Sequence, residues 1–92
     1  MTWTVQFSNK AAKQYRRLPQ TVRDSIDALV VEIRIAGPVR GNWPNYSKIG
    51  NIGHHCHVKK GNPTYVVVWR EENSQIRLVE VVYVGTHEKA PY

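Results

Sequence analysis

The chain has 92 residues, a formal net charge of +6 and a hydrophobic content of 41%. A chain of this length supports one small core, so we expect residues 1–92 to form a single domain. It has no apolar run long enough to cross a membrane, no leader typical of a signal peptide, and one cysteine, Cys56, which excludes an intrachain disulfide. These features favour a cytoplasmic protein with no membrane partner.

The positive charge is concentrated in two stretches that contain no acidic residues. No Asp or Glu precedes Asp24, and none lies between Glu32 and Glu71. Most of the basic residues fall in these stretches: Lys10, Lys13, Arg16, Arg17 and Arg23, and then Arg34, Arg40, Lys48, Lys59, Lys60 and Arg70. Such asymmetry suits a phosphate-rich partner or an acidic protein. The alternative is a basic surface that binds no ligand.

The chain begins with a predicted strand and a predicted helix. Residues 3–7 alternate apolar and polar side chains, which is the pattern of a half-buried strand. Ser8 or Asn9 can cap a helix over residues 9–18, because a short polar side chain accepts a hydrogen bond from the first helical turn.

A second helix is predicted from Pro19, which suits a first helical turn, to the breaker Gly37-Pro38. Its apolar residues recur at helical spacing: Val22, Ile26, Leu29, Val30 and Ile33. The spacing predicts one buried face along the whole helix.

The second half of the chain predicts a loop and then a run of strands. Residues 38–46 are rich in turn-forming types. Strands are predicted at 46–49, 54–58, 65–70 and 76–84, with turns at 60–63 and 71–74. The order is strand, helix, helix and then three or four strands, which is β-α-α-β-β-β without the short strand 46–49. It predicts an α+β fold with two N-terminal helices packed on one face of a small, largely antiparallel sheet.

Histidines are the first candidates for chemistry. Because alternate strand residues share a face, His55 and His57 should point one way, and His54 and Cys56 the other. His87 follows the last strand, at the edge of the sheet. An imidazole titrates near neutral pH and can accept or donate a proton. Zinc is the alternative, but the second pair of ligands that a tight site needs is missing, so we predict no metal and no cofactor.

Cations and aromatic rings are the second group of candidates. Lysine and arginine can stabilise the charge of a phosphate in its transition state, and the basic set is Lys48, Lys59, Lys60 and Arg70. A solvated face is the alternative for Lys59 and Lys60. Three rings lie in loops or at an end, where they could stack on a base: Trp43, Tyr46 and Tyr92. Trp43 could equally cover the core.

Several catalytic signatures are absent from the sequence. There is no glycine-rich phosphate loop and no nucleophile elbow, and seven acids disfavour a two-metal nuclease. A nuclease without metal can use the RNA 2′-hydroxyl, which attacks its own phosphate and leaves a 2′,3′-cyclic phosphate. That reaction needs a base, cations and an acid for the leaving 5′-oxygen. DNA lacks the hydroxyl and would not react.

Four stretches of the chain resemble the RelE/HigB superfamily of bacterial toxins: residues 5–13 (VQFSNKAAK), 17–19 (RLP), 54–66 (HHCHVKKGNPTYV) and 83–92 (YVGTHEKAPY). The resemblance covers nearly the whole chain and depends on the combination. It implies a RelE/ParE-like fold and a ribosome-dependent endoribonuclease that cuts messenger RNA, the toxin of a type II toxin–antitoxin pair. The implied partners are a cognate antitoxin protein, the A site of the 70S ribosome and its message.

The resemblance also implies residue roles. His87 matches a general acid or phosphate stabiliser, Tyr92 a terminal aromatic that orients RNA, His57 a histidine of some members, and Lys48 an early lysine. His57 or Lys48 would accept the 2′-hydroxyl proton and His87 would protonate the leaving oxygen, although the order of the two histidines stays open. Further RNA contacts are expected from Arg70, Lys59, Lys60, Trp43, Tyr46 and Lys89.

Three departures from the superfamily accompany the resemblance. Many relatives carry an arginine where this chain has Val66-Val67-Val68, histidine-type members have an aspartate where it has Asn62, and no C-terminal helix follows Tyr92. Two alternatives therefore stay open. One branch of the superfamily inhibits DNA gyrase by binding without cutting RNA, and an inactive relative would only bind its antitoxin.

Overall fold

The computed structural model describes residues 2–59, 61 and 63–92. Its elements are β1 (Thr4–Phe7), α1 (Asn9–Arg16), α2 (Gln20–Ala36), β2 (Ser47–Ile49), β3 (Gly53–Lys59), β4 (Tyr65–Asn73), β5 (Leu78–Thr86) and a 3₁₀ turn (His87–Lys89). Two positions named above lie outside the described residues: Lys60, expected to contact RNA, and Asn62, one of the departures. No described helix is both long and apolar enough to cross a membrane.

The strands form one sheet in the order β1-β5-β4-β3-β2. β1 runs parallel to β5, and every other neighbouring pair is antiparallel. Both helices contribute to one buried cluster with side chains from one face of the sheet. The predicted α+β architecture, with two helices on one face of a largely antiparallel sheet, is confirmed.

Local capping sets the ends of the two helices. The Ser8 hydroxyl accepts a hydrogen bond from the Ala11 N–H at 3.0 Å, so the predicted cap of α1 is confirmed. α1 ends at Arg16, before the predicted residue 18. Pro19 is the N-cap of α2 rather than part of its first turn, because its ψ of 151° is extended.

The main core lies between α2 and the sheet. All five apolar residues predicted for the buried face of α2 are buried: Val22, Ile26, Leu29, Val30 and Ile33. From the sheet they meet Cys56, Val67, Trp69, Val79, Val81 and Val84. Burying an apolar side chain of this size contributes about 1.5–3 kcal/mol, so this stripe is the main attachment of the helices.

The β4–β5 turn is displaced from its predicted position. β4 continues to Asn73 and β5 begins at Leu78, so the turn occupies 74–77 rather than 71–74. The Asn73 side-chain oxygen accepts hydrogen bonds from the N–H groups of Gln75 and Ile76, at 3.0 and 3.2 Å. An asparagine that bonds the backbone ahead of it initiates a turn, which explains why the strand passes through the polar residues before it.

The other side of the sheet, which we call the open face, is not covered by helices. It carries a second, smaller buried cluster of Val66, Val68 and Tyr83. Ala90 packs against this cluster, so the chain folds back over the open face after β5. The predicted functional tail therefore lies on the sheet rather than extending away from it.

Candidate active site

The alternation of β3 separates its histidines onto two faces. His54 and Cys56 are fully buried on the helix side, whereas His55 and His57 are partly exposed on the open face. Burial raises the pKa of the Cys56 thiol to about 12, so this thiol stays protonated at neutral pH. The open face is therefore where β3 can offer reactive side chains.

The ring of His54 is held on three sides. Its Nδ1 is 2.6 Å from the Tyr46 hydroxyl and its Nε2 is 2.7 Å from the Glu71 carboxylate. Its face stacks on Trp69, with ring centroids 5.7 Å apart. This histidine is a hydrogen-bonded part of the core.

The 3₁₀ turn after β5 brings His87 towards β3. The His87 backbone N–H donates to the Thr64 carbonyl oxygen at 2.8 Å, which fixes the start of the turn. The His57 and His87 ring centroids are 5.4 Å apart with planes at 73°. Two imidazoles that lie 30 positions apart in the sequence, one on β3 and one in the turn after β5, thus face one another at one end of the open face.

Tyr92 completes this arrangement by covering His55. The two rings stack with centroids 4.3 Å apart, and Tyr92 also lies edge-on to His87 at 6.1 Å. The Ser47 hydroxyl is 2.6 Å from Nε2 of His55. We call His55, His57, His87 and Tyr92 the tail site.

The pKa values within the tail site follow from burial and from like charge. Burial lowers the pKa of His55, and the nearby His57 and His87 lower it further. Burial also raises the pKa of the Tyr92 hydroxyl. Within the described chain, His55 Nδ1 is buried without a hydrogen-bond partner. The lowered pKa favours the neutral form of His55, the ring on which Tyr92 stacks.

A cleft of about 290 Å³ opens beside the tail site. Its described lining is His57, Gly61, Pro63, Thr64, Thr86, His87 and Glu88. The two imidazoles can exchange protons with a group bound between them. The described lining contains one acid, Glu88, and no lysine or arginine.

Lys48 is not brought to this cleft. It is paired with His54 across β2 and β3, and directly opposed residues share a face of the sheet. His54 faces the helices, so Lys48 projects from the opposite side to His57. This placement does not bring Lys48 to His57 and His87, with which it was expected to act.

Arg70 lies on the open face but away from the cleft. Its strand passes His57 at Val66, four residues earlier, which corresponds to about 13 Å of strand. Its guanidinium donates to the Glu72 carboxylate at 2.6 and 3.1 Å and lies 3.8 Å from Glu80. Its charge is thus already balanced by carboxylates.

Trp43 and Tyr46, the loop rings expected to stack on bases, lie on the core side of the molecule. Both pack against the main core. The Trp43 ring N–H donates to the Glu32 carboxylate at 3.0 Å, and Tyr46 reaches His54. These contacts fix the loop between α2 and β2 against the core.

The remaining predicted cations are exposed. Lys59 lies at the end of β3, opposite Tyr65 and next to a bulge. Lys89 lies in the 3₁₀ turn and lines a second groove described below. In the described part of the chain no three His, Cys, Asp or Glu side chains are placed to hold a metal ion.

His55 and Ser47 were missing from the predicted site residues. Strand alternation already put His55 on the face of His57. No sequence signal indicates that Tyr92 turns back to cover it, because that contact joins segments 37 residues apart, from position 55 to position 92.

Comparison with solved structures identifies the fold. The chain superposes on a mutant of the E. coli toxin RelE in the free state with a TM-score of 0.75 and 22% identity, covering 98% of this chain and 88% of that one. It superposes on the intact E. coli RelBE toxin–antitoxin complex with a TM-score of 0.70 and 23% identity, covering 95% and 99%. It superposes on the archaeal RelE–RelB complex from Pyrococcus horikoshii OT3 with a TM-score of 0.69 and 13% identity, covering 98% of this chain and 100% of that one.

Sequence comparison adds no closer relative, since no family model and no curated protein matches the chain significantly. The architecture, the order of the elements and the coverage of nearly the whole chain nevertheless agree in each structural comparison. This chain therefore has the fold of the RelE toxins.

Proposed function

We propose that this protein is the toxin of a type II toxin–antitoxin pair and acts as a metal-independent, ribosome-dependent messenger RNA endonuclease. The observation that carries the proposal is the facing pair His57 and His87, 5.4 Å apart beside a cleft of about 290 Å³. The RelE-like fold and the sequence resemblance of the tail support the same assignment.

The proposed reaction is an internal transfer within RNA. One histidine accepts the proton of the 2′-hydroxyl, whose oxygen attacks the adjacent phosphorus. The bond from phosphorus to the 5′-oxygen breaks, and the other histidine gives that oxygen a proton. The products are a 2′,3′-cyclic phosphate and a 5′-hydroxyl. We assign His57 as the base and His87 as the acid, because His87 is the more exposed and lies in the turn that reaches over the cleft.

Tyr92 is proposed to orient the RNA next to the histidines. Its ring is stacked on His55, so it presents an edge to His87 and its other face outward. A ring held by stacking loses less freedom on binding than a mobile one, which favours recognition of a base.

The proposed antitoxin would bind elsewhere. An apolar groove of about 560 Å³ lies between the helices, lined by Phe7, Ala12, Tyr15, Arg16, Asp27, Val30, Val31 and Arg34. An amphipathic segment with acidic flanks suits it, since apolar residues line the groove and arginines stand at its rim. One structural neighbour is the intact E. coli RelBE toxin–antitoxin complex, and another is the archaeal RelE–RelB complex.

A binding-only protein is the second candidate. The described lining of the cleft contains no lysine or arginine, and Arg70 is balanced by Glu72. A site that lacks a cation beside the reacting phosphate would cut slowly or not at all. Such a protein would act on DNA gyrase or simply bind its antitoxin.

Cell-free translation separates these functions. Purified wild-type protein should cut message on translating ribosomes without added metal beyond the ribosome's own need, and primer extension would map the ends. His87→Ala should lower the rate at least about 100-fold, because a general acid contributes on the order of 10²–10⁴-fold. Gln75→Ala, in the exposed β4–β5 turn, is the control. Intact message and normal protein output with wild type would refute the endonuclease and favour the binding-only alternative.

A further inference from the structure

A second groove, which we call the α1–tail groove, runs between α1 and the chain segment after β5. It has a volume of about 590 Å³ and is lined by Lys10, Gln14, Arg17, Leu18, Tyr65, Tyr83, Val84, Gly85, Thr86, Glu88 and Lys89. The lining contains cations from both walls and one acid. Neither His57 nor His87 lines this groove, so the proposed catalysis by these histidines does not account for its cations.

The cations of this groove are available to a ligand. Lys10 and Arg17 lie on the α1 side and Lys89 on the tail side, and all three are exposed. Among the residues that the structure describes, no ion pair includes any of them. Arg70, in contrast, is held by two carboxylates. The α1–tail groove thus offers uncompensated positive charge on two opposing walls.

The walls of the groove are fixed by contacts to the sheet. Gln14 accepts a hydrogen bond from the Val84 N–H at 3.2 Å, and the Ser8 N–H donates to the Val81 carbonyl oxygen at 2.9 Å. These bonds attach α1 to β5 beyond the end of β1. The spacing between the α1 cations and the tail is therefore set before any ligand binds, which lowers the entropy cost of binding.

The groove is continuous with the cleft of the tail site. Thr86 and Glu88 line both. A strand of RNA with one phosphate between His57 and His87 must leave the cleft, and the adjoining groove carries lysine and arginine, which the described part of the cleft lining does not contain. A phosphodiester chain presents one negative charge per nucleotide, which matches a row of separated cations.

The chemistry of this groove differs from that of the groove between the helices. Phe7, Val30 and Val31 line the groove between the helices, whereas Lys10 and Lys89 stand over the α1–tail groove. An apolar lining suits a protein segment and a cationic lining beside the histidines suits a nucleic acid.

We propose that the α1–tail groove is the subsite for the phosphodiester backbone of single-stranded RNA next to the cleavage point, with Lys10, Arg17 and Lys89 as its phosphate contacts. The assignment of the ligand as substrate rests on the proposed endonuclease function. The binding itself is measurable without cleavage, so the two can fail separately.

The test uses the intact protein and a short single-stranded RNA whose 2′-hydroxyls are all methylated, so that it cannot be cut. Affinity is measured by fluorescence anisotropy at several salt concentrations for wild type, Lys10→Gln, Arg17→Gln, Lys89→Gln and the triple variant. Each lost phosphate contact should reduce the slope of log affinity against log salt by about 0.7, and the triple variant by about 2. Lys13→Gln is the matched control, an exposed lysine on α1 that does not line the groove.

Several outcomes would overturn the proposal. They are wild-type slopes in all three groove variants, an equal loss in Lys13→Gln, or no salt-dependent binding by the wild type. Loss of binding to an acidic antitoxin segment with unchanged RNA binding would assign the groove to the protein partner instead.

Cleavage by the wild type is scored separately in cell-free translation. Reduced salt slopes in the groove variants together with an uncut message would support the RNA subsite and refute the proposed endonuclease activity. Cleavage by the wild type together with unchanged salt slopes in the groove variants would refute the subsite alone.

Discussion

The two faces of β3 carry histidines in opposite situations. His54, on the helix side, is fully buried, bonded through both ring nitrogens and stacked on Trp69. His57, on the open face, lies beside a cleft with His87 across from it. Their separation is three residues, and the difference comes from what covers each face.

This comparison shows how a residue type acquires a role. On the helix side the imidazole is one more polar group that must be satisfied where water is excluded, and Tyr46 and Glu71 satisfy it. On the open face the cover is a short chain segment rather than two helices, so the rings remain accessible to a ligand. The four predictions below test this division in order of expected effect.

The largest effect is expected from the open face. His57→Ala should lower RNA cleavage by about 10²–10⁴-fold, because it removes the proposed base. The wild-type rate should have a bell-shaped dependence on pH, and His57→Ala should lose the limb on the acidic side. Initial rates across pH measure both, with urea unfolding as a check on the fold. Cleavage at the wild-type rate in this variant would break the assignment of the open face to catalysis.

The helix side should respond in stability instead. His54→Leu removes the partner of both Tyr46 and Glu71 and should cost about 3 kcal/mol of unfolding free energy, since each polar group left without a partner costs about 1–3 kcal/mol. Cleavage per folded molecule should be unchanged. Tyr46→Phe, which removes one of the two hydrogen bonds, should cost about 1 kcal/mol in urea unfolding. A His54→Leu protein that is as stable as wild type but inactive would reverse the roles of the faces.

A smaller effect is expected at the tail, where Tyr92 covers His55. Burial lowers the pKa of His55 below its ordinary 6.5, so Tyr92→Ala should raise that pKa towards 6.5 in an NMR titration. Because the folded-state pKa of His55 lies below its ordinary value, the free energy of unfolding is highest above pH 6.5. The wild type loses this part of its free energy of unfolding as pH falls through the folded-state pKa. Acidification should therefore lower the free energy of unfolding of Tyr92→Ala by less than that of the wild type. An unchanged pKa would mean that the ring does not cover His55 in solution.

Val82→Ala is a control for that experiment. Val82 packs on the same open-face cluster without a ring contact to His55, so the pKa of His55 should stay at its wild-type value.

The smallest effect is expected at Glu32, which fixes the loop between α2 and β2 on the helix side. Its carboxylate accepts hydrogen bonds from Asn42, Trp43 and Arg40, in that order of influence, and these lower its pKa below the ordinary 4.5. The Glu32 carboxylate therefore adds to the free energy of unfolding above pH 4.5, and this stabilisation is lost as pH falls through the lower pKa of the folded protein. Glu32→Gln should flatten the fall in urea midpoint below pH 4.5 while cleavage near neutral pH persists. Parallel acid profiles for both proteins would contradict this.

Much of the fold was predictable because the spacing of apolar residues and the capping residues are local features of the sequence. The spacing along α2 identified its buried face, and Ser8 identified the start of α1, since both depend only on helical geometry. The displaced β4–β5 turn shows the limit of that reasoning. The polar residues 71–74 were predicted as the turn. The Asn73 side chain accepts hydrogen bonds from the backbone that follows it, so the turn lies at 74–77 instead.

The candidate site was predictable in part for the same reason. The two-residue period of a strand separated His55 and His57 from His54 and Cys56 without any tertiary information. The stacking role expected of Trp43 and Tyr46 stays a prediction, since both rings pack against the core and a ring in a loop can either stack on a ligand or fill a gap in the core. Composition does not distinguish these two outcomes.

What the amino-acid sequence determined by itself is the set of faces: which residues of each helix and strand lie together, because backbone geometry fixes that repeat. The tertiary structure alone decided which faces meet. Strand register put Lys48 opposite His54, ion pairing engaged Arg70, and the return of the chain over the open face set Tyr92 on His55 and His87 beside His57. Each of these contacts depends on packing between elements, and their geometry follows from the whole folded chain rather than from any single segment.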